Sequence, residues 1–285
     1  MTTTDGLDLG RFGIYTWDFE HRSPARVRDD IQELEDLGWP SFWFPEVGGR
    51  EAFTHAGLLL AASRRIRIVN AIAKIGERTA VATHGAARLL ADAYPGRHVL
   101  GLGLGDGLPG VKPLAAVSGY LDELDKLADG RPIPRVLAAY GPKMLAQARD
   151  RAAGAHTYKV TVDHTAQARE ILGPNAFLGV EHAVLFESDP TTARAKAREH
   201  LHLYLTTPFN VAKYRRLGYT EDDVTHGGSD RLVDDLVFWG TPDTITEKLR
   251  AHLKAGATHV TIQVIGTPPG ESAMPHWRTL AQALL

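Results

Sequence analysis

The stretch YPGRHVLGLGLGDG, from Tyr94 to Gly107, decides the fold that we predict for this chain. It begins as a turn and continues as a strand in which leucines alternate with glycines, a period of two residues. The glycines on the bare face are Gly101, Gly103 and Gly105. Glycine weakens a strand unless something must approach its backbone closely. A flat ligand at the carboxyl end would explain these glycines, and Asp106 follows them, so we predict one wall of a cofactor site here.

Composition excludes several classes of protein. The 285 residues carry a formal net charge of −2 and no polybasic run, which predicts no nucleic-acid partner. The chain has 0 cysteines, which excludes disulfides and thiolate chemistry, and its histidines show no spacing typical of a metal site. No apolar run approaches the roughly 18 residues of a membrane span, and the first residues lack a signal-peptide layout. We expect a cytoplasmic protein with no membrane partner.

A recurring unit of helix, glycine stop and short strand sets the architecture. In the first copy Ser23 is a predicted N-cap with Pro24 at the first helical position, and Gly38 ends the helix. The last long predicted helix has the same start signals, with Thr241 as the predicted N-cap and Pro242 in the first turn.

Eight strands alternating with eight helices indicate a single α/β domain over residues 1–285, a (β/α)8 TIM barrel. The predicted strands are 12–16, 41–45, 66–73, 98–104, 135–139, 155–161, 177–186 and 258–265. The predicted helices lie near 25–37, 52–64, 79–93, 113–128, 142–153, 164–172, 190–206 and 242–255. A small helical insertion over roughly 208–239 precedes the last unit and is expected to cap the mouth of the barrel.

Active sites of such barrels lie at the carboxyl ends of the strands, so the residues there are candidates. Glu46 follows an aromatic strand, where a carboxylate could have a raised pKa and move a proton. It could equally pair with Arg50 or cap the next helix. His182 lies in mid-strand and is either a pocket residue or a hydrogen-bonded interior histidine.

Two glycine motifs have alternative interpretations. Gly105 to Gly110 matches the dinucleotide fingerprint G-x-G-x-x-G, which requires a helix that Pro109 and Pro113 oppose. A glycine-rich turn without a ligand is the other alternative. Further along, Gly141-Pro142-Lys143 opens a helix, whose free N–H groups suit a phosphate, although it could be a helix start and nothing more.

The ordered motifs resemble those of the luciferase-like monooxygenase superfamily, and within it the coenzyme F420-dependent oxidoreductases of actinobacterial type. The resemblance spans nearly the whole chain. It rests on the following segments: Leu37-Gly38-Trp39 with Trp43-Phe44-Pro45-Glu46, Arg65–Ile72, Tyr94–Gly103, Ala138–Lys143 and Gly228–Asp234.

The resemblance implies a barrel, usually a homodimer, that binds F420 or alternatively FMN. Relatives carry a non-proline cis peptide at the end of the third strand, and the matching bond here is Ala71–Ile72. The cofactor-binding residues that it implies are Ala71, Ile72, Ala73, Gly103, Gly105, Asp106, Tyr140, Gly141, Pro142 and Lys143.

We therefore predict an oxidoreductase that transfers hydride between the deazaflavin and a small organic substrate. Glu46 is the predicted proton-handling residue, and the substrate pocket is assigned to Trp17, Trp43 and His182. An FMN-dependent monooxygenase is the alternative enzyme. A cofactor-free relative acting as a binding protein is a third alternative, because Pro45-Glu46 replaces the Asp-His pair of many F420 enzymes and the loop from Leu108 to Pro113 is short.

Overall fold

Parallel strands dominate the computed structural model, which describes residues 7–105, 110–268 and 271–285. All strand pairings among these residues are parallel. The strands are β1 Phe12–Tyr15, β2 Ser41–Phe44, β3 Arg67–Asn70, β4 Ala73–Lys74, β5 His98–Gly103, β6 Arg135–Ala138, β7 Gly154–Tyr158, β8 Phe177–Leu185, β9 Val237–Trp239 and β10 His259–Val264.

Eight of these strands close into a barrel in the order β1, β2, β3, β5, β6, β7, β8, β10. The ring closes because β10 pairs with both β1 and β8. The predicted strand 66–73 is divided into β3 and β4, and β4 pairs with the end of β5. Between them lies the Ala71–Ile72 peptide bond, which is cis as predicted. The TIM-barrel prediction is confirmed.

Helices follow each barrel strand and cover its outer face. They are α1 Pro24–Asp36, α2 Ala52–Ala62, α3 Ala80–Ala93, α4 Pro113–Leu127, α5 Pro142–Arg151, α6 Val162–Leu172, α7 Pro190–Leu205, α8 Pro208–Arg216, α9 Glu221–Val224, α10 Asp230–Leu236, α11 Pro242–Lys254 and α12 Met274–Leu284. The predicted caps are confirmed, since the Ser23 and Thr241 side chains accept hydrogen bonds from the first turns of α1 and α11.

The insertion between β8 and β10 has its own apolar cluster. Helices α8, α9 and α10 occupy the predicted range 208–239, and the short strand β9, which the sequence did not indicate, pairs with the end of β8. Tyr214 and Leu232 pack there with Leu185 and Ile265 at the carboxyl ends of β8 and β10. The assignment of residues 1–285 to one domain stays a prediction.

A second apolar cluster fills the inside of the barrel, which we call the lumen. Trp43 of β2 stacks against His156 of β7 and His259 of β10, with ring centroids 4.6 and 5.4 Å apart. β2 and β7 lie on opposite sides of the ring, so the side chains of Trp43 and His156 meet across the lumen. Within the described ranges, no helix has both the length and the apolarity needed to cross a bilayer.

Candidate functional site

The predicted cofactor residues from three strands lie side by side at the carboxyl end of the barrel. Ala71 and Ala73 flank Ile72 on the β3–β4 segment, which is hydrogen-bonded to the end of β5. A Cβ placed on Gly103 would lie 2.5 Å from Cδ1 of Ile72 and 2.8 Å from Cβ of Ala138. The side chain of Ile72 therefore lies against the backbone of β5 at Gly103, and Ala138 of β6, the next strand in the barrel, is also close to Gly103.

This packing corrects our explanation of the glycines in β5. A Cβ on Gly101 would lie 1.7 Å from the carbonyl oxygen of Asn70. The neighbouring chain itself thus makes the close approach to Gly101 and Gly103, so these glycines do not require a ligand. The next glycine, Gly105, has a φ of +68° and lies beside the side chain of Lys74. Asp106 lies outside the described residues.

The segment from Tyr140 to Lys143 forms the start of α5, as predicted. Gly141 is its N-cap without a side-chain hydrogen bond, and Lys143 is exposed in the first turn. Tyr140 stacks on His164 at 4.7 Å, and its hydroxyl donates to the carbonyl of Lys213 at 3.2 Å. A helix start without a side-chain cap, with a cation nearby, can still bind an anion.

The motif from Gly105 to Gly110 resembles the dinucleotide fingerprint, which requires a helix to begin within it. The helix that follows, α4, begins at Pro113, after the motif, which argues against the dinucleotide interpretation.

Glu46 is held by four donors. Its carboxylate accepts hydrogen bonds from the backbone N–H groups of Ala52 at 3.1 Å and Lys74 at 2.9 Å. The guanidinium of Arg78 makes a two-point contact with the same carboxylate, and both side chains are about one-tenth exposed. Glu46 therefore accepts only the first N–H of α2, whose N-cap is Glu51, and it pairs with Arg78 rather than Arg50. Its proton-handling role stays a prediction that this arrangement does not favour.

A cavity of about 370 Å³ opens beside Glu46. Its walls come from the β2–α2 loop, including Gly48 and Arg50, and from Lys74 at the end of β4. That volume lies within the range of small-molecule sites, roughly 300–1,000 Å³. The cavity adjoins the predicted ring-binding backbone at Ala73.

The two tryptophans assigned to the substrate pocket, Trp17 and Trp43, lie at different depths in the barrel. Trp43 is fully buried in the lumen, and its indole N–H donates to Ser41 at 3.0 Å. Trp17 is half-buried at the mouth and donates to the Tyr15 hydroxyl at 3.3 Å. That hydroxyl in turn donates to the carbonyl of Ala71 at 3.4 Å. Trp17 is thereby linked through Tyr15 to Ala71, one of the predicted cofactor-binding residues. Their assignment to a substrate pocket stays a prediction.

His182 lies away from the lumen, which corrects its assignment to the pocket. Its ring stacks on Phe238 with centroids 3.6 Å apart, and its Nδ1 is 3.0 Å from Nε2 of His252 in α11. Successive side chains of a strand point to opposite faces. Glu181 points into the lumen, so His182 points outward between the barrel and its helices.

Sequence reasoning missed Lys159, the centre of a buried polar cluster. Its Nζ donates to Glu181 Oε1 at 2.8 Å and to Gln263 Oε1 at 2.7 Å, and its backbone N–H donates to Glu181 Oε2 at 3.2 Å. Both charged side chains have an exposure of 0%. Lys159 adopts a φ of +52°, which is uncommon for a residue with a side chain. The signal in the sequence was Glu181, an acid inside a nine-residue strand that is otherwise uncharged apart from His182.

Helix α7 and the first helix of the insertion, α8, cover this cluster. The Tyr204 hydroxyl of α7 is 2.7 Å from that of Tyr158. Lys213 of α8 donates from Nζ to the carbonyl of Tyr158 at 3.1 Å and lies 5.1 Å from the centre of the Tyr140 ring. Burial, and then the charge of Lys159, lower the pKa of Lys213 to about 7. Burial also lowers the pKa of Lys159, against the attraction of Glu181.

Comparison with known proteins supports the fold and the family resemblance. Residues 11–112 match the family model described as luciferase-like monooxygenase. A Mycobacterium tuberculosis protein that carries the provisional name of coenzyme F420-dependent oxidoreductase is 24% identical, covering 90% of this chain and 94% of its own.

Two solved structures have the same fold at low identity. An F420-dependent secondary alcohol dehydrogenase in complex with an F420-acetone adduct superposes with a TM-score of 0.74 at 13% identity, over 96% of this chain and 98% of its own. The FMN-bound oxygenating constituent of 3,6-diketocamphane monooxygenase from Pseudomonas putida gives 0.69 at 14%, over 95% of each chain. The resemblance of this chain to the luciferase-like monooxygenase superfamily, which its ordered motifs predict, is therefore confirmed.

Proposed function

We propose that this chain is an F420-dependent oxidoreductase that moves a hydride between the deazaflavin and an organic substrate. The observation that carries the proposal is the meeting of Ile72, Gly103 and Ala138 from three neighbouring strands at the carboxyl face of the barrel. The provisional name of the Mycobacterium tuberculosis relative supports the same cofactor. The expectations of a homodimer and a cytoplasmic location stay predictions.

The residues at this face fit such a cofactor by their chemistry. The backbone and apolar side chains of residues 71–73, together with Gly103, would hold a flat ring. The uncapped start of α5, with Lys143 in its first turn, would hold a phosphate. A bound deazaflavin supplies or accepts the hydride, while the protein orients both reactants and excludes competing reactions.

Cofactor identity is tested by titrating the purified protein with F420 and with FMN separately. We expect F420 binding, followed by fluorescence, and tenfold or more weaker binding of F420 to Lys143→Glu, because an added carboxylate repels the phosphate at the helix start. Lys126→Glu, an exposed position on α4, is the matched control and should leave the affinity unchanged.

The two alternatives give different titrations. Tight binding of FMN alone would favour the FMN-dependent monooxygenase, the class to which the FMN-bound Pseudomonas putida protein belongs. Binding of neither cofactor would favour the cofactor-free binding protein. Either result would contradict the proposal.

Substitution of Glu46 distinguishes a structural role of this residue from a catalytic one. We expect Glu46→Gln to lower the free energy of unfolding by about 1–3 kcal/mol, because the mostly buried Arg78 then keeps only the Glu51 carboxylate, 3.3 Å away, as an anionic partner. The paired variant Glu46→Gln/Arg78→Gln should recover part of that loss. Urea denaturation measures both.

A catalytic Glu46 predicts the opposite pattern. Turnover would then fall sharply in Glu46→Gln while stability and cofactor affinity stay near those of the unaltered protein. Such a result would restore our first assignment and contradict the structural role.

A further inference from the structure

We propose that Lys159 is a catalytic residue, the proton donor to the carbonyl oxygen of the substrate. The inference rests on the proposed function and deepens it by naming the substrate class, a ketone or aldehyde. The buried pair of Lys159 and Glu181, with Gln263 as a second acceptor, is the structural feature behind it.

The position of the cluster suits this role. It lies at the carboxyl ends of β7 and β10 and beside the middle of β8, near the face where barrels of this kind carry their active sites. Tyr15 connects the cluster to the predicted cofactor-binding residues. The Tyr15 hydroxyl contacts the carbonyl of Ala71, and the Tyr15 ring lies 5.4 Å from the Tyr158 ring. Lys159 Nζ lies 4.7 Å from the centre of the Tyr158 ring. The Tyr15 ring fills the space between Ala71 and Tyr158, whereas Tyr158 is partly exposed, so a substrate that contacted Tyr158 from its exposed side would be separated from Lys159 by that one side chain.

The donor geometry of Lys159 leaves capacity for a substrate oxygen. An ammonium group has three N–H donors, and Glu181 and Gln263 accept two of them. The Tyr158 and Tyr204 rings border the nitrogen, at 4.7 and 5.7 Å from it. A carbonyl oxygen that replaced one of these ring contacts would accept the third N–H.

A purely structural ion pair is a poor explanation for this arrangement. Removing two charges from water costs more than a well-packed apolar pair would, so buried pairs add little net stability. Lys159 also takes a left-handed backbone conformation, which a side chain other than Gly, Asn or Asp seldom adopts. Both features are typical of functional sites, where such costs are tolerated.

The electrostatic surroundings set the proton affinity of Lys159. Burial disfavours its charged form, and the adjacent carboxylate favours it. The titratable groups around it come from five elements: Glu181 from β8, Tyr158 from β7, Tyr15 from β1, Tyr204 and His200 from α7, and Lys213 from α8. Of these, only Glu181 favours the protonated amine by an opposite charge.

The proposed step balances as follows. A bound reduced cofactor would supply a hydride, with its two electrons, to the carbonyl carbon, and the π electrons of the C=O bond would move to oxygen. An N–H bond of Lys159 breaks and an O–H bond forms, which gives an alcohol and a neutral amine beside Glu181. A proton from solvent then restores the ammonium and balances the proton released when the cofactor is oxidised, so that two electrons and two protons reach the carbonyl in all.

Reductive trapping tests whether a carbonyl compound reaches Lys159 without any cofactor present. Acetone with cyanoborohydride at pH 7 should add an isopropyl group to Lys159 in the folded protein, identified by peptide mass spectrometry. Glu181→Gln should speed this labelling, because the carboxylate favours the unreactive protonated amine. Exposed Lys126 is the internal reference. If Lys126 is fully labelled while Lys159 stays unmodified in the Glu181→Gln variant as well as in the unaltered protein, the proposal is overturned.

A second readout follows the oxidation of reduced F420 by acetone, cyclohexanone and benzaldehyde. Loss of a general acid should slow it by about 10²–10⁴-fold in Lys159→Met, with unchanged F420 affinity. Because that single variant leaves Glu181 unpaired, Lys159→Met/Glu181→Met is the folding control, and it should be equally slow. Unchanged rates in this double variant, or no oxidation by any of the three carbonyls with F420 bound, would overturn the inference. Failure of F420 to bind would instead overturn the proposed function.

Discussion

The free energy of unfolding should fall steeply as the pH drops from 6.5 towards 4, enough to unfold the protein cooperatively in mild acid. The cause is a set of buried histidines that are neutral in the folded protein. Burial lowers the pKa to about 4 in His55, His98 and His259, to about 3 in His156 and His252, and to about 2 in His200.

The sign follows from the direction of these shifts. The ordinary histidine pKa is 6.5, so below that pH the unfolded chain binds protons that the folded protein excludes. Stability is therefore full above pH 6.5 and is lost as the pH falls towards the folded-state values. Each histidine costs about 1.4 kcal/mol per pH unit in that window. One unit below pH 6.5, such histidines together cost roughly 5–8 kcal/mol, comparable with the whole stability of a domain, about 5–15 kcal/mol.

Urea denaturation at pH 7.5, 6.5, 5.5 and 5.0 measures the effect. His98→Gln should reduce the slope by about one proton, since an amide can still reach the Asn70 side chain, 2.9 Å from the His98 ring, but does not titrate. His202→Gln changes an exposed histidine and should leave the slope unaltered. A stability that is flat between pH 7.5 and 5 would show that the buried histidines accept protons without unfolding.

Local patterns were sufficient to predict the barrel. Helix caps such as Ser23 and Thr241 are determined by residues three positions away, so the sequence displays them directly. The count of eight strands followed from repeated turns and apolar runs. The same local logic failed at β9, a strand of three residues that follows α10 without a break.

Long-range partners could not be predicted in the same way. Arg78 lies 32 residues beyond Glu46, and nothing in either local pattern pairs them. In β8 all nine residues are buried, so hydrophobicity does not reveal which face lines the lumen. That is why His182 was assigned to the pocket while Glu181, its inward neighbour, was not. Lys159 was missed because its role depends on acceptors from two other strands.

Gly101→Ala should cost about 3 kcal/mol or more, enough to leave little folded protein. The new Cβ would lie 1.7 Å from the Asn70 carbonyl oxygen, and a backbone atom within the sheet cannot move aside cheaply. Gly141→Ala is the matched control, because nothing lies within 4 Å of the added carbon, and the lower N-cap preference of alanine should cost about 1 kcal/mol or less. Thermal and urea denaturation compare the two, and near-equal stabilities would contradict the packing of β5 on β3.

Gly103→Ala extends this prediction to the candidate site. Its Cβ would meet Cδ1 of Ile72 at 2.5 Å, the far end of a flexible side chain, and Cβ of Ala138 at 2.8 Å, which moves only with its backbone, so we expect a loss of about 1–3 kcal/mol. Ile72→Val removes that terminal carbon and should restore part of the stability in the double variant. Because Ile72 and Gly103 also form the proposed ring-binding surface, F420 affinity is the more informative readout. Restored stability with impaired F420 binding would support a cofactor surface at this contact, whereas restored stability with unchanged binding would place the ring elsewhere.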